Sequence, residues 1–357
     1  MSVNNRSICL KVTTALIFLL FLQFAIAQRK LVQIESKFPE VDTKLEAAKK
    51  ELGGNVVALV YKDGNIIYQK AIGTDFTTKT QAPIANACQW LTAALVMSFV
   101  DQGKLSLDDK VSKYIPAFTK FSKGFITIKD CLAHLTGIES EPARLMNLFG
   151  RKKYTTLEEE VDEFASKKEI QSNPGLEFRY SNIGLNIVGR VLEVMTRRSF
   201  EQLMQERITR PLMMRNTSFA SFSAINPTSG AVSTPSDYMN FLSMILNKGM
   251  FNGKQILSEQ AITEMQTIRT TPAMMKYSPK PTEGYSYGLG QWIVEADEKG
   301  VGTVLTSPGL AGTWPMIDKC RGYALLIFTK GDLNEEKKTI YMDIKAAIDG
   351  KIASTCK

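Results

Sequence analysis

Apolar and polar residues near the start of the chain follow patterns that predict one helix and two strands. Apolar residues recur at helical spacing over Phe38–Leu52, which predicts an amphipathic helix. The runs Val56–Tyr61 and Ile66–Ile72 are rich in β-branched residues and predict strands. Asp63 and Gly64 lie between these runs and are typical of a β-hairpin turn.

Helical periodicity dominates from Asn86 to about Leu246, where Leu91–Asp101 and Gly184–Met195 are two of the predicted helices. Because strands open and close the chain around this helical part, we predict an α/β fold class. Residues 28–85 and 247–357 would form one α/β domain, residues 86–246 an inserted, mainly helical domain, and a pocket would lie at their interface. The closing strands and terminal helix are predicted at Tyr285–Val294, Val301–Leu305, Gly312–Ile317, Tyr323–Phe328 and Asn334–Ile348.

Residues 1–27 have the features of a secretory signal peptide. Arg6 and Lys11 give a positive start, an apolar run extends over Val12–Ala27, and small residues surround a cleavage point before Gln28. We therefore expect an exported protein, periplasmic or secreted, with no stable membrane insertion after signal cleavage. An uncleaved membrane anchor is the alternative.

Charge and histidine content exclude several classes of function. The 357-residue chain has a formal net charge of +8, and the loss of Arg6 and Lys11 with residues 1–27 leaves +6. The densest basic cluster is only Arg151–Lys153, so we expect no nucleic-acid binding. The single histidine, His134, makes a multi-histidine zinc site impossible. We expect neither a metal nor another cofactor, and we expect His134 to be a packed, hydrogen-bonded side chain.

Four cysteines follow residue 27, and they fall into two groups. Cys88 and Cys131 lie among apolar residues and are expected to be buried thiols. Cys320 precedes the last predicted strand, and the terminal helix runs back along that strand. Both elements span about 25 Å, so Cys356 should return near Cys320. An oxidising compartment would then allow a disulfide, with a frayed C-terminus as the alternative.

A hydrolase that has no catalytic histidine can use a serine activated by lysine and tyrosine. Such a site carries Ser-x-x-Lys, Tyr-x-Asn and Lys/His-x-Gly motifs. Over nearly all of the sequence after residue 27, the order and spacing of seven segments resemble the serine β-lactamase and penicillin-binding-protein superfamily, on its class C and esterase-like branch. The resemblance implies a β-lactamase/transpeptidase-like fold, in which helices flank an antiparallel sheet and an all-α domain is inserted. The segments are Ile84–Ala94, Asp101–Asp109, Cys131–Ile138, Pro174–Asn182, Val232–Tyr238, Tyr287–Gly290 and Ser307–Gly312.

The departures from these motifs bear directly on catalysis. Asn86 stands where the resemblance implies the serine nucleophile, and Gln89 stands where it implies the lysine. A carboxamide nitrogen is delocalised and is no nucleophile, and glutamine has no titratable nitrogen to act as a base. Ser307 replaces the lysine or histidine of many relatives, whereas the motif Tyr180–Asn182 is intact. We therefore expect a catalytically degenerate relative.

The resemblance also implies which other residues form the pocket. The family's oxyanion hole maps onto the backbone N–H groups of Asn86 and Leu310, next to Gly309, and Asn182 would be a ligand-contacting amide. A turn or helix cap is the alternative for Asn182. A tyrosine hydroxyl titrates near pH ~10 unless a cation lowers its pKa, so Tyr180 should donate a hydrogen bond rather than act as a base.

Two further side chains near the predicted pocket have competing interpretations. Cys88 lies two residues after Asn86, which on a helix turns it about 200° away, so we expect a core thiol rather than a replacement nucleophile. Trp314 is expected to pack in a buried strand, with an apolar wall of the pocket as the alternative.

The sequence thus predicts a protein that binds a carbonyl-bearing or peptidoglycan-like ligand, a small molecule or a peptide, without acylation. One alternative is a weak esterase or amidase that uses Tyr180 and bound water. Another is a scaffold or interaction protein in which Asn86 and Gln89 merely fill the former site. The sequence indicates no particular protein partner.

Overall fold

The structure is a computed structural model that describes residues 37–140, 154–330 and 337–356. Two compact units divide the chain, residues 1–39 and residues 40–357, and apart from Pro39 the elements below belong to the second. The predicted signal peptide, residues 1–27, lies outside the described residues. The α-helices of the described part are α1 (Pro39–Ala47), α2 (Cys88–Val100), α3 (Ala117–Lys120), α4 (Ile128–Leu132), α5 (Leu157–Ser166), α6 (Ile183–Thr196), α7 (Phe200–Met204), α8 (Pro235–Leu246), α9 (Glu259–Gln266) and α10 (Lys338–Asp349).

The strands of the described part are β1 (Val56–Lys62), β2 (Asn65–Ile72), β3 (Ala82–Pro83), β4 (Phe178–Arg179), β5 (Val232–Ser233), β6 (Met250–Phe251), β7 (Lys254–Gln255), β8 (Met275–Tyr277), β9 (Ser286–Tyr287), β10 (Trp292–Ala296), β11 (Gly302–Thr306), β12 (Trp314–Asp318) and β13 (Tyr323–Thr329). Seven of them form one antiparallel sheet, in the order β2-β1-β13-β12-β11-β10-β9. Short strand pairs lie outside this sheet, among them β3 with β5 and β4 with β8.

Both faces of the large sheet are covered by helices. Every residue of β13 is buried, and neighbouring residues of a strand point to opposite faces, so both faces must be packed. Leu326 and Phe328 belong to the hydrophobic core on one face, where α8 contacts β13 and β1. On the other face the Tyr323 hydroxyl donates to Asp349 of α10 at 2.7 Å. The predicted α/β class, an antiparallel sheet flanked by helices, is thereby confirmed.

Helix α10 is tied to the sheet by a buried ion pair and a disulfide. Nζ of Lys345 lies 2.8 Å from Asp318 at the end of β12 and 2.7 Å from Asp349. Beyond the helix, Cys356 is bonded to Cys320, with a Cα–Cα distance of 5.0 Å. The C-terminal half of α10 is therefore fixed at the end of β12, and Tyr341, nearer the start of the helix, stacks on Trp314 at the beginning of β12.

The structure differs from the predicted elements in two informative places. The run Tyr285–Val294 is two strands, β9 and β10, because the chain turns sharply between them at Gly290, where φ is +77°. The helix predicted at Leu91–Asp101 begins three residues earlier, at Cys88. Residues 334–336 of the predicted terminal helix lie outside the described residues. The domain boundaries at residues 85/86 and 246/247 stay a prediction.

Candidate functional site

A narrow cleft with a cavity volume of about 40 Å³ opens beside Asn86, just before the N-terminus of α2. Four predicted site residues line it: Asn86, Tyr180, Gly309 and Leu310. Three others, Gln89, Asn182 and Ser307, do not line it. The complete lining is Asn86, Tyr180, Pro279, Pro281, Thr282, Trp292, Pro308, Gly309, Leu310, Trp314, Lys337, Lys338 and Tyr341.

Local structure fixes the position of Asn86. The pairing of β3 with β5 ends at Pro83, and the N–H of the next residue, Ile84, donates to Ala231 O at 3.0 Å. Ala85 then adopts a φ of +45°, and Ala85–Ala87 form one 3-10 turn that continues into α2. The Tyr238 hydroxyl donates to Ala87 O at 2.7 Å, which stabilises this turn. Asn86 therefore sits on a short, tightly held turn rather than inside the helix.

Gly309 brings the β11–β12 connection into contact with the turn that carries Asn86. A Cβ atom added to Gly309 would lie 2.1 Å from Ile84 O and 3.3 Å from Ala87 N, so a side chain here would collide with backbone. The N–H of Gly309 is used within its own loop and donates to Thr313 O at 2.8 Å. Among the described residues, the N–H groups of Asn86 and Leu310 donate no backbone hydrogen bond. Two backbone donors therefore remain available at the cleft.

Gln89 is fully buried and joins a hydrogen-bonded group beneath the cleft. Its Oε1 lies 3.0 Å from His134 Nε2 and 3.1 Å from the Tyr287 hydroxyl. The N–H of Ser181 donates to His134 Nδ1 at 3.4 Å, so the ring carries its hydrogen on Nε2 and donates it. Burial lowers the pKa of His134 from 6.5 to about 3. The expectation of a packed, hydrogen-bonded histidine is confirmed, and the side chain at position 89, where the resemblance implies a lysine, is an acceptor.

Tyr180 follows β4, and its N–H donates to Tyr277 O at 3.1 Å. Its ring lies 4.6 Å from the His134 ring and 5.3 Å from Trp292, measured between centroids. Burial raises the pKa of Tyr180 above its ordinary value, although hydrogen bonds from the side chains of Trp292 and Asn86 act in the opposite direction. Because its pKa is raised, the hydroxyl stays protonated and has a hydrogen to donate.

Asn182 is held away from the cleft. Its Nδ2 donates to Glu160 Oε1 at 3.0 Å, and Asn186 Nδ2 donates to Glu160 Oε2 at 2.9 Å. Asn182 is also the N-cap residue of α6, although its side chain makes no capping hydrogen bond. The structure therefore does not bring Asn182 together with Asn86 and Tyr180. Its contact with Glu160, which the sequence did not indicate, is the reason.

The remaining predicted side chains are buried around the cleft. Ser307 is 2% exposed and lies just before the lining residue Pro308. Cys88 is completely buried, with Sγ 3.6 Å from Pro227 O, and burial raises the pKa of its thiol to about 12. Trp314 is both buried and part of the cleft wall, so the two interpretations of this residue are combined.

Sequence reasoning missed much of the apolar wall. Trp292 lies on β10, Tyr341 and Lys338 lie on α10, and Pro279 and Pro281 lie in the connection between β8 and β9. Trp314 stacks on Tyr341 with 4.5 Å between ring centroids and 15° between planes. No motif marks these residues in the sequence, because the wall forms only when α10 packs against β12.

The described residues contain no group of three or more His, Cys, Asp or Glu side chains that could hold a metal ion. No helix of the described part of the chain is long and apolar enough to cross a membrane.

Comparison with known proteins places this geometry in context. A family model described as "Beta-lactamase" matches residues 43–347. A crystal structure from Bacteroides dorei DSM 17855, of a protein provisionally named a beta-lactamase, is 28% identical and superimposes with a TM-score of 0.77, over 87% of this chain and 98% of that one. An octameric penicillin-binding protein homologue from Pyrococcus abyssi, 20% identical, has a TM-score of 0.72 and covers 88% of this chain and 78% of its own, which supports the fold alone.

A curated relative covers a smaller part of the chain. Protein flp of Staphylococcus aureus strain MW2 is 28% identical over 171 residues, which are 45% of this chain. The match covers 34% of the relative, so the chain spans about a third of the length of that protein.

Proposed function

Because the chain belongs to the beta-lactamase family, whose model spans residues 43–347, we propose that it binds a carbonyl-bearing ligand at the family's former acylation site without being acylated. The ligand would be a small molecule or a peptide-like compound. The observation that carries this proposal is the pair of replacements at Asn86 and Gln89 in a site whose cleft and backbone donors persist. In this proposal the site still binds its ligand but no longer forms an acyl-enzyme.

The geometry gives each surviving group a role in binding. The N–H groups of Asn86 and Leu310 would donate to a carbonyl oxygen, as donors of an oxyanion hole do. The Tyr180 hydroxyl would donate a further hydrogen bond. Gln89 would keep its place in the group with His134 and Tyr287, which supports the turn from beneath. None of these roles requires a nucleophile or a base.

Hydrolysis by Tyr180 and bound water has less support. A phenol acts as a base only when a nearby cation lowers its pKa, and here burial raises the pKa of Tyr180. The neighbouring histidine is neutral, because burial lowers its pKa to about 3. The lysine position carries an uncharged carboxamide. We therefore assign Tyr180 a donor role.

We further propose that the protein is exported to the periplasm or secreted. The support is the signal-like pattern of residues 1–27, together with the disulfide between Cys320 and Cys356. Disulfides persist mainly in oxidising compartments. Detection of the N-terminal residue of the protein recovered outside the cytoplasm would test this, and an intact Met1 in the cytoplasm would contradict it.

A fluorescent penicillin tests the binding proposal with a single reagent. The purified protein should show saturable fluorescence anisotropy, and no labelled band should survive a denaturing gel. Asn86→Leu keeps the branched shape of the side chain but replaces its polar atoms with bulkier apolar ones at the cleft, and it should weaken binding about tenfold. Asn216→Leu makes the same change at an exposed position outside the cleft, and it should bind like the unchanged protein.

The other outcomes of this test contradict the proposal in different ways. A label that survives denaturation and disappears in Tyr180→Phe would establish an acylating enzyme. Absence of saturable binding by every carbonyl compound tried, among them unlabelled penicillin, N-acetyl-D-alanyl-D-alanine and 2-naphthoate in calorimetry, would leave the scaffold interpretation.

A further inference from the structure

The cleft beside Asn86 has walls made of rings. Trp314 is stacked on Tyr341, and Tyr180 lies against Trp292 with 5.3 Å between ring centroids. Pro279, Pro281 and Pro308 complete this surface. Flat apolar groups pack well on such walls, whereas the polar backbone of a peptide would lose water against them. The walls therefore favour a flat, apolar ligand body over a peptide backbone.

Several polar groups that line the cleft can donate hydrogen bonds. Nε1 of Trp314 is buried and has no acceptor among the described residues, and an indole nitrogen can only donate. Trp314 itself is 3% exposed and lines the cleft. The backbone N–H groups of Asn86 and Leu310 and the hydroxyl hydrogen of Tyr180 are further donors. A ligand that satisfies them must present several acceptor lone pairs close together.

The charged side chains that line the cleft are both positive. Lys337 and Lys338 line it, and in the described part of the chain no acidic residue does. Nζ of Lys338 donates to Glu283 O at 3.1 Å and lies 4.3 Å from the centre of the Tyr285 ring. Lys337 makes no ion pair with another described residue. Positive charge beside donors that line the same cleft favours an anion over a neutral carbonyl compound.

Resting on the proposed function, we infer that the ligand of this cleft is a free carboxylate on a flat aromatic body, rather than an acyl donor or a peptide. The two carboxylate oxygens would accept from the donors at Asn86, Leu310 and Trp314, and the ring would lie against the Trp314–Tyr341 wall. Lys337 would neutralise the charge at the rim. No bond is formed or broken.

Four probes separate the contributions of ring and charge, and calorimetry on the purified protein measures them. 2-Naphthoate carries both features, 2-naphthylmethanol has the ring without charge, and 2-naphthylmethylammonium has the ring with the opposite charge. N-Acetyl-D-alanyl-D-alanine has a carboxylate without an aromatic body. We expect 2-naphthoate to bind at least tenfold more tightly than each of the other three.

Matched variants test whether the probes bind in this cleft, and they separate the contribution of the Trp314 N–H from that of its ring. Trp314→Phe keeps a ring but removes the N–H, and it should weaken 2-naphthoate about tenfold while leaving 2-naphthylmethanol nearly unchanged. Trp90→Phe makes the same change at another tryptophan whose Nε1 is buried without a partner, outside the cleft, and should have no effect. Lys337→Gln should weaken 2-naphthoate about threefold, whereas Lys351→Gln, just beyond the other end of α10, should not.

The results distinguish this inference from the function on which it rests. If the dipeptide binds as tightly as 2-naphthoate, or if 2-naphthoate does not bind while penicillin does, the inference is overturned and the proposed function stands. If 2-naphthoate binds Trp314→Phe and Lys337→Gln as tightly as it binds the unchanged protein, the carboxylate does not contact these groups and the inference is overturned. If neither penicillin nor any of the four probes binds saturably, both fail together.

Discussion

Gln89 and His134 are joined by a hydrogen bond of 3.0 Å between Oε1 and Nε2, completely enclosed by the protein. The family motif implies a lysine at position 89, which would be a donor, yet the residue found there accepts from the single histidine of the chain. Tyr287 donates to the same oxygen at 3.1 Å. This group is neutral throughout, and its neutrality makes stability sensitive to acid.

The first prediction concerns the pH dependence of stability. Burial lowers the pKa of His134 to about 3, whereas an unfolded histidine titrates near pH ~6.5. Between these two pH values His134 is protonated in the unfolded chain but neutral in the folded one. The contribution of neutral His134 to the free energy of unfolding is therefore fully present above pH ~6.5 and is lost as the pH falls. We expect the free energy of unfolding to drop by about 1 kcal/mol per pH unit between pH 6 and 4 from this residue.

His134→Asn is the matched variant for that measurement. Position 134 has a φ of +56°, and asparagine tolerates left-handed backbone better than most residues. Urea unfolding of both proteins at pH 6.5, 5.5 and 4.5 would give the difference in slope, in which the carboxylate titrations common to both cancel. Parallel curves for the two proteins would show that His134 is not the acid-sensitive group.

The second prediction is that Asn86→Ser combined with Gln89→Lys restores acylation. A lysine at the buried position 89 would have its pKa lowered by desolvation, which supplies the neutral amine that a base requires. Tyr180 and the N–H groups of residues 86 and 310 are already in place. Each single change should stay nearly inactive, because residues that act as a unit contribute non-additively.

Burst release of nitrophenol from p-nitrophenyl acetate, followed by intact mass, measures this restored chemistry. The double variant should gain one acetyl group, and adding Tyr180→Phe should abolish the burst. Acetylation of the unchanged protein would contradict the degenerate-site assignment. A silent double variant that still folds would place the obstacle at Ser307, which also departs from the motif.

Local patterns in the sequence predicted the elements, but the contacts of the site come from residues far apart in the chain. The hairpin of β1 and β2 was predictable, because Asp63 and Gly64 favour the turn that the structure adopts, with φ values of +47° and +83°. The orientation of the Asn182 side chain was not predictable, because it is set by a hydrogen bond to Glu160, 22 residues earlier. Likewise Tyr287 reaches Gln89 across 198 residues. Motif spacing identifies a position, and packing decides where its side chain points.

The third prediction concerns the thiols. With Cys320 bonded to Cys356, and Cys88 and Cys131 free, the protein after residue 27 should have two titratable thiols when denatured without reductant and four after reduction. The bridge closes a separation of 36 residues, for which chain entropy predicts about 3–4 kcal/mol of stabilisation. Replacing both bridged cysteines with serine should lower the free energy of unfolding by this amount. Four thiols before reduction would exclude the bridge.

The fourth prediction concerns Cys88 in the native protein. Its thiol is completely buried, its Sγ is directed at Pro227 O, and burial raises its pKa to about 12, so the reactive thiolate is scarce. Iodoacetamide should modify it only as fast as the protein unfolds, at a rate similar to that of Cys131. Rapid modification that 2-naphthoate or penicillin blocks would instead place Cys88 in the cleft and favour a cysteine enzyme.

The last prediction tests the backbone contact that forms the cleft. In Gly309→Ala the new Cβ would lie 2.1 Å from Ile84 O, so either the β11–β12 connection or the turn at Asn86 must move. We expect a loss of about 1–3 kcal/mol in the free energy of unfolding, together with loss of penicillin binding. Gly350→Ala is the control, since its Cβ would approach no atom closer than 3.6 Å. If Gly309→Ala bound penicillin as tightly as Gly350→Ala, the N–H groups of Asn86 and Leu310 would not form the binding site, because their spacing depends on this contact.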